Sequence, residues 1–280
     1  MLLFEPVGIM NLTSKKEKIA NNFSKYAKSY DQFAEAQKIG SIHLTQYLSE
    51  LQNDIPDGPI LEIGCGTGFV SSEIVTIFEK RDIHLTDIST GMINVCRDKI
   101  KKSGHDISNV HWEVLDGESV ASGGYALIVS SFSFQWFENL TKSIENFIDA
   151  LLPGGKVCCS FMGDGSFAEW KTACEKLKIP YTGNPLPNPS DLKDSLLHKP
   201  VSIKLFHEDV ILRYKSPVDF FRALKKIGAG TNTNETELTS SGLKRLIRGW
   251  QNENPDEIHV TYKINYMVIE KNINELKHGS

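Results

Sequence analysis

Three carboxylates and one run of glycines are the residues of this chain whose types and spacing suit chemistry. Glu62 leads the run Glu62-Ile-Gly-Cys-Gly-Thr-Gly68, with glycine at every second position, Gly64, Gly66 and Gly68. Glycines in such a turn accept positive φ and let a ligand approach the main chain. Asp87 falls 23 positions after Gly64, close to the spacing at which a carboxylate meets ribose hydroxyls in nucleotide-binding α/β folds. Asp116-Gly117 ends a third apolar run. A dinucleotide fingerprint would need glycine at position 69, which is Phe69, so the loop is not of the Gly-x-Gly-x-x-Gly type. Left open at this point are a βα turn without a ligand, a nicotinamide dinucleotide site of unusual spacing, and a site for another nucleotide-like cofactor.

The elements around these residues predict a doubly wound, mostly parallel α/β sheet. Ile60, Leu61 and Ile63 form a short buried strand, and Val70, Ile74, Ile77 and Phe78 supply the apolar face of the helix that follows. Further strands are expected at 82–87, 110–115, 125–131 and 156–162. Between them, a helix capped by Thr90 carries Met92, Ile93, Cys96 and Ile100, and one carrying Ile144, Phe147, Ile148 and Leu151 ends at Pro153-Gly154-Gly155. Glu62, Asp87 and Asp116 then stand at three successive strand ends along one crevice. Ile88 and Met92 offer an apolar face for a flat ring beside them. Residues 13–52 read as one or two helices, and a helix near 166–177 leads into a proline-rich loop, Pro180 to Pro189. Strands are expected at 201–214 and 259–271, the second alternating through Val260, Tyr262, Ile264, Tyr266 and Val268. A two-helix insertion at about 216–252 separates them. The division expected is an N-terminal helical segment or lid, 1–54, and a catalytic domain, 55–280, that carries the insertion as a second lid.

Glu62-x-Gly-x-Gly-x-Gly68 resembles the first motif of methyltransferases dependent on S-adenosyl-L-methionine (AdoMet). That resemblance implies that the glycine loop passes the amino-acid part of AdoMet, with Glu62 organising the ammonium, Asp87 the ribose diol and Asp116 the adenine amino group. More specifically, Phe23-Ser-Lys-Tyr-Ala-Lys-Ser-Tyr-Asp-Gln-Phe-Ala-Glu-Ala-Gln37 and Val129-Ser-Ser-Phe-Ser-Phe-Gln-Trp136 resemble signatures of the malonyl-[acyl-carrier protein] O-methyltransferases of biotin synthesis. So do Cys159 to Trp170, the lid helix Phe221-Arg-Ala-Leu-Lys-Lys-Ile-Gly-Ala229, and Leu238 to Lys271. The sequence departs from that pattern at Ala126, at Ser131, after Asp116 and across 181–200. The resemblance implies methyl transfer from AdoMet to the free carboxylate of a malonyl thioester on acyl-carrier protein. A carboxylate is ionised at neutral pH, with an ordinary pKa of about 4, so no general base is needed. Tyr30, Ser131, Gln135 and Trp136 are the candidates for lining the substrate, and Tyr30 with Gln37 for closing over the cofactor. A small free acid as acceptor, or AdoMet binding without transfer, are the alternatives.

Composition fits this reading. Of the 280 residues 40% are hydrophobic and 24% charged, the balance of an ordinary globular protein, and a net charge of -4 gives no reason to expect a nucleic-acid partner. Residues 215–250 carry seven cationic and three acidic side chains, +4 inside a chain of -4. Arg222, Lys225 and Lys226 are expected on one exposed helix face, and Lys244, Arg245 and Arg248 on a second, opposite Leu243, Leu246, Ile247 and Trp250. Such faces suit an acidic carrier protein. The five cysteines, Cys65, Cys96, Cys158, Cys159 and Cys174, form no Cys-x-x-Cys, which speaks against a zinc site and for a reducing, cytoplasmic setting. Cys65 lies in the glycine loop with no base nearby, and none of the eight histidines sits in a catalytic motif. The first ten residues are apolar but hold Glu5 and Pro6 and lack a basic start, so no signal peptide is read there, and translation from Met10 is an alternative. No stretch suits a membrane span. A monomer is expected.

Overall fold

The computed structural model describes residues 13–120, 123–229 and 238–273. Met10 as an alternative start, and Glu235 and Glu237 of the charged insertion, lie outside the described residues. The chain opens with α1 (Ser14–Tyr26), capped by Thr13, whose hydroxyl accepts from the Lys16 N–H at 3.3 Å. A 3-10 turn (Ala27–Gln32) joins it to α2 (Glu35–Glu50). The alternating part follows as β1 (Ile60–Ile63), α3 (Ser71–Ile77), β2 (Ile83–Asp87), α4 (Thr90–Lys102), β3 (Val110–Val114), β4 (Tyr125–Ser131), α5 (Leu140–Ala150) and β5 (Leu151–Met162). Then come α6 (Ala168–Lys176), α7 (Pro189–Ser195), β6 (Val201–Tyr214), α8 (Pro217–Lys226), α9 (Ser240–Glu253) and β7 (Ile258–Lys271).

All seven strands join one sheet in the order β3-β2-β1-β4-β5-β7-β6. Pairs among the first five strands are parallel, whereas β7 runs antiparallel to both β5 and β6. The chain leaves β1 toward β2 on one side and β4 lies on the other, so the crevice at the carboxyl ends opens at β1, where such sheets bind ligands. Register puts Ile63 beside Thr86 of β2 and Ser130 of β4. That alignment brings the three strand ends carrying Glu62, Asp87 and Ser131 to one level.

Period-two alternation divides the core between the two faces of the sheet. Ile60, Leu85, Leu127, Val129 and Cys158 pack with α2, α3, α4 and the aromatic residues under the insertion. Leu61, Ile63, Ile128, Val157 and Cys159 pack with Phe147 and Ile148 of α5 on the other face. The adjacent Cys158 and Cys159 thus point to opposite faces, as a strand requires. The insertion is anchored by aromatic edges. Phe220, with no exposed surface, meets Trp250 at 5.8 Å, Phe167 at 5.7 Å and Tyr214 at 5.4 Å between ring centroids. Edge-on pairs of this kind add to the burial of their large apolar area.

Four local expectations are corrected. Ser89, not Thr90, caps α4, because the Ser89 hydroxyl accepts from the Met92 N–H at 3.2 Å. Leu151 begins β5 instead of ending α5, and Pro153-Gly154-Gly155 lies inside that strand, where the pairing with β4 shifts register between Tyr125 and Leu127. The proline-rich loop ends in a short helix, α7, with Pro189 at its first turn, where its missing N–H costs nothing. Leu243 is 39% exposed, whereas Leu246 and Trp250 are buried.

The N-terminal helices are fastened across the carboxyl edge of the sheet. A Cβ added at Gly91 of α4 would lie 2.6 Å from the Ser24 Cα, so glycine sets the approach of α1 to α4. The Ser24 hydroxyl lies 2.8 Å from that of Ser89 and accepts from the Gly91 N–H at 3.3 Å. Gly91→Val is therefore expected to lift α1. Hydrogen exchange should accelerate over residues 14–26 while β1 and β4 keep their protection, and unchanged exchange in α1 would refute this account of the contact.

Candidate active site

The glycine loop leaves β1 with its main chain in the left-handed region, at φ 73° for Gly64 and 54° for Gly66. A Cβ built on Gly66 meets nothing within 4 Å, so this position faces open space. Gly68 does a different job. Its Cβ would lie 3.0 Å from the Cys96 sulfur, and it lets the loop lie against α4 instead of lining the cavity. Asp87 fixes the loop from the neighbouring strand. Its carboxylate accepts from the Gly66 N–H at 2.9 Å and, through the other oxygen, from the Ser89 N–H at 2.8 Å. Burial pushes its pKa up to about 6, although both N–H bonds pull it down. Glu62 lies under the loop and is 1% exposed. Burial pushes its carboxyl well above the ordinary range, with Cys96 next in effect, and its Oε2 has no hydrogen-bond partner among the described residues.

These groups wall a cavity whose far side is apolar, with Ile88, Met92, Leu115, Gly117 and Phe137. Met92 is buried, and Gly117 packs so closely that a Cβ would fall 2.5 Å from Ile63 Cγ2 and 2.9 Å from Phe137 Cζ. Asp116 stands at this end and is not free. The Lys16 ammonium from α1 reaches it at 2.5 Å and Glu118 at 2.6 Å. The 3-10 turn is tied down nearby: the Thr67 hydroxyl donates to Asp31 at 2.5 Å, and Lys99 pairs with the same carboxylate at 2.8 Å.

A second cavity of about 600 Å³ adjoins the first and is mostly apolar, with Met162, Trp170, Leu186, Phe221, Leu224 and Leu246 in its walls. Phe23, Tyr30, Gln37, Phe132 and Trp136 line both cavities and form the partition between them. Phe132 holds φ 54°, a backbone conformation rare for a bulky residue, at the end of β4. Trp136 is held edge-on against Phe23, ring centroids 5.3 Å apart.

Of the residues singled out from sequence, Glu62, Gly64, Gly66, Asp87, Ile88, Met92, Asp116, Gly117 and Ser131 line the first cavity, and Tyr30 and Trp136 line both. Gln135 lines only the second, with its amide nitrogen donating to the Phe132 carbonyl at 2.7 Å. The basic residues separate. Arg222 and Lys225 are exposed and line the mouth of the second cavity, although Arg222 also pairs with Asp219 at 2.5 Å. Lys226 is half-buried, its ammonium 5.7 Å from the Tyr26 ring centroid. Arg245 donates to the Leu177 carbonyl at 2.9 Å, at the end of α6, and Arg248 is exposed. The expectation of two equivalent basic faces therefore narrows, because three of these cations, Arg222, Lys226 and Arg245, are engaged by the chain itself.

Sequence reasoning missed Lys16 and Phe132. Lys16, Ile19 and Phe23 share one face of α1 at helical spacing and all line the first cavity. That periodicity was available, but a lysine on a charged helix reads as solvated. Burial alone would lower the Lys16 pKa, and the two carboxylates outweigh it and raise it. Burial likewise opposes the lowering of the Glu118 pKa by Lys16 and by the N–H groups of Glu138 and Asn139. The raised lysine gives stability that is present below its ordinary value and lost at higher pH. The depressed glutamate gives stability present above its ordinary value and lost on acidification, so the latch holds across the neutral range. Lys16→Ala would leave two half-buried carboxylates side by side. It is expected to cost about 1–3 kcal/mol in urea unfolding, the scale of a hydrogen bond to a charged group, and to raise the Glu118 pKa in an NMR titration. An unmoved Glu118 would dismiss the latch.

The comparisons with known proteins agree with this geometry. A family described as a methyltransferase domain matches residues 61–157, which span the glycine loop, all three carboxylates and β4. The malonyl-[acyl-carrier protein] O-methyltransferase 2 of Ilyobacter polytropus is 31% identical over 264 residues, covering 92% of this chain and 98% of that protein. Among solved structures, the YcgJ protein of Bacillus subtilis superposes with a TM-score of 0.58 at 13% identity, over 82% of this chain and 98% of its own. Phosphoethanolamine N-methyltransferase 2 of Haemonchus contortus, in complex with S-adenosyl-L-methionine, superposes at 0.54 with 16% identity, over 94% of this chain and 61% of that one. The two superpositions speak for the fold, and the identity along nearly the whole length speaks for the family. The chain belongs to the malonyl-[acyl-carrier protein] O-methyltransferases.

Proposed function

We propose that this protein moves a methyl group from AdoMet to the free carboxylate of a malonyl thioester carried by acyl-carrier protein, an early step of biotin synthesis. The observation that carries the reading is the pair of cavities that meet at one partition, one lined by Glu62, Asp87 and Asp116 at the carboxyl ends of the strands and a more apolar one with cations at its mouth. The first fits AdoMet. Glu62 presents an unpartnered buried oxygen suited to an ammonium. The Asp87 carboxylate keeps lone pairs for hydroxyl donors beyond its two N–H bonds, and Ile88, Met92, Leu115 and Phe137 suit a flat ring. Gly66 leaves open the space that a side chain would fill. Bound there, AdoMet supplies an electrophilic methyl group on a sulfonium.

The chain's own residues then have three tasks. They hold the acceptor oxygen in line with the methyl group, they keep water out, and they leave the carboxylate unprotonated. No histidine lines either cavity among the described residues, and the neighbouring Cys96, with burial adding to it, pushes the Cys65 thiol well up, so it stays protonated. A carboxylate nucleophile needs neither group. Lys16, Asp31 and Ser24 pin the N-terminal segment over the cavity, which gives it the place of a lid. The second cavity, about 600 Å³ and mostly apolar, suits a pantetheine arm, and Arg222, Lys225 and Arg248 suit the acidic surface of a carrier protein. Among the described residues no helix is long and apolar enough to cross a membrane.

Mass spectrometry of malonyl-carrier protein after incubation with AdoMet should show the gain of one methyl group. Methylation of a free dicarboxylic acid with no reaction on the carrier would replace this reading with that of a small-acid methyltransferase. AdoMet affinity should weaken as pH falls through about 6, where Asp87 takes up a proton and loses its acceptor for the hydroxyls. Asp87→Asn should bind weakly at every pH, by about 1.5–3 kcal/mol, and a pH-independent wild type would contradict the assignment. Reversing Arg222, Lys225 and Arg248 to Glu should slow methylation of the carrier-bound substrate and flatten its salt dependence with AdoMet affinity unchanged.

A further inference from the structure

The partition between the two cavities decides how the acceptor is held, an argument that rests on the function proposed above. A methyl group passing from one cavity to the other must cross between Phe23, Tyr30, Gln37, Phe132 and Trp136, the residues common to both. The acceptor carboxylate must end at that partition, and an ionised carboxylate taken out of water needs donors. The cations of the two cavities are elsewhere. Lys16 is held by Asp116 and Glu118, and Arg222 and Lys225 stand at the exposed mouth, with Arg222 also on Asp219. Phe23 and Phe132 offer no donor, and Trp136 is fixed edge-on against Phe23.

We propose that the Gln37 amide, with the Tyr30 hydroxyl, is the positioning pair that holds the acceptor carboxylate at the partition. Gln37 is 7% exposed and Tyr30 half-buried, and neither side chain has a hydrogen-bond partner among the described residues although both line the two cavities. Burial, with Asp87 and Asp31 adding to it, pushes the Tyr30 phenol far above its ordinary range, so the hydroxyl remains a donor.

The neutrality of the pair matters. A guanidinium would pair with the full charge of the carboxylate through a bidentate bond and so weaken its oxygens as nucleophiles. Two neutral donors would fix the carboxylate and leave its charge to the sulfonium that AdoMet, bound in the first cavity, would supply. In the reaction a carboxylate lone pair forms the O–CH3 bond as the S–CH3 bond breaks, and its electrons return to sulfur. Both charges vanish in that step and no proton moves. The ester left behind accepts weaker hydrogen bonds from Gln37 and Tyr30 than the carboxylate did, which favours its release.

The test begins by finding which carboxylate the wild type methylates, among malonyl-carrier protein, malonyl-CoA and free malonate, and uses that acceptor throughout at saturating AdoMet. Gln37→Ala and Tyr30→Phe are each expected to lower kcat/KM about tenfold to a hundredfold, the range for losing one hydrogen bond to a charged group. AdoMet affinity, measured by calorimetry, should stay within about twofold. Gln37→Glu is the discriminating variant. It should be the poorest of the three at pH 8, where its charge repels the acceptor, and its activity relative to wild type should climb as pH falls to 6 and the new carboxyl gains a proton to donate. A purely structural Gln37 would give no such climb. Variants that methylate at wild-type rates, or a flat pH ratio for Gln37→Glu, would overturn the pair while leaving the carrier substrate standing. Methylation of free malonate alone would remove the carrier and still test the pair. A wild type that methylates no carboxylate would overturn both.

Discussion

The site depends on one buried carboxylate. Asp87 takes the N–H of Gly66 with one oxygen and that of Ser89 with the other, so a single side chain sets the glycine loop relative to the start of α4. Its pKa, pushed to about 6 from an ordinary 3.8, means that holding the charge costs the fold stability above pH 6 and that the cost fades toward pH 3.8. Two main-chain donors offset part of that cost but not all of it. The remainder describes a group kept for ligand binding more than for folding, since a ligand that donates hydroxyls supplies what the protein alone does not. Glu62, buried beneath the same loop with an unpartnered oxygen, has the same character. Such sites are paid for by the sheet around them, where Ile60, Ile83, Leu85 and Leu127 have no exposed surface at all.

The sheet was legible because its cues are local. Short apolar runs leading to Glu62, Asp87 and Asp116 marked the strands and their common edge, and the glycine spacing departed from the dinucleotide fingerprint. Misreadings fell where a local cue had two meanings. Pro153-Gly154-Gly155 looks like the stop after a helix, yet Leu151 before it and Lys156 after it both pair with β4, which keeps it inside a strand. Ser89 and Thr90 are both good caps, and only the bond to the Met92 N–H separates them.

The partition was less legible than the cofactor end, and the reason is physical. Its members come from α1, the 3-10 turn, α2 and the segment after β4, and no spacing within one element brings them together. Tyr30 and Trp136 could be marked because they sit in recognisable signatures. Phe132 sits in the same signature as Trp136, but its left-handed backbone, a property of the turn it makes, is not written in its residue type. Lys16 was hidden for the opposite reason: its pattern was visible, but the carboxylates it meets lie 100 residues away at Asp116 and close by at Glu118.

The strand order has a consequence for how the protein comes into being on the ribosome. β7, made after β6, lies between β5 and β6, so β6 has no partner among the described strands until residues 258–271 have emerged. The half of the sheet that carries the glycine loop and Asp87 is closed by contacts among strands made early, β1 to β4. The nascent chain thus completes the half that carries the glycine loop and Asp87 first. The other half waits as an unpaired fourteen-residue edge with the insertion helices tethered behind it. Long-range closure of that sort is slow and leaves a strand edge open to foreign pairing. Charged and polar residues along β6, Lys204, His207, Glu208, Asp209 and Arg213, flank its exposed Phe206 and Ile211 and oppose foreign pairing along that edge.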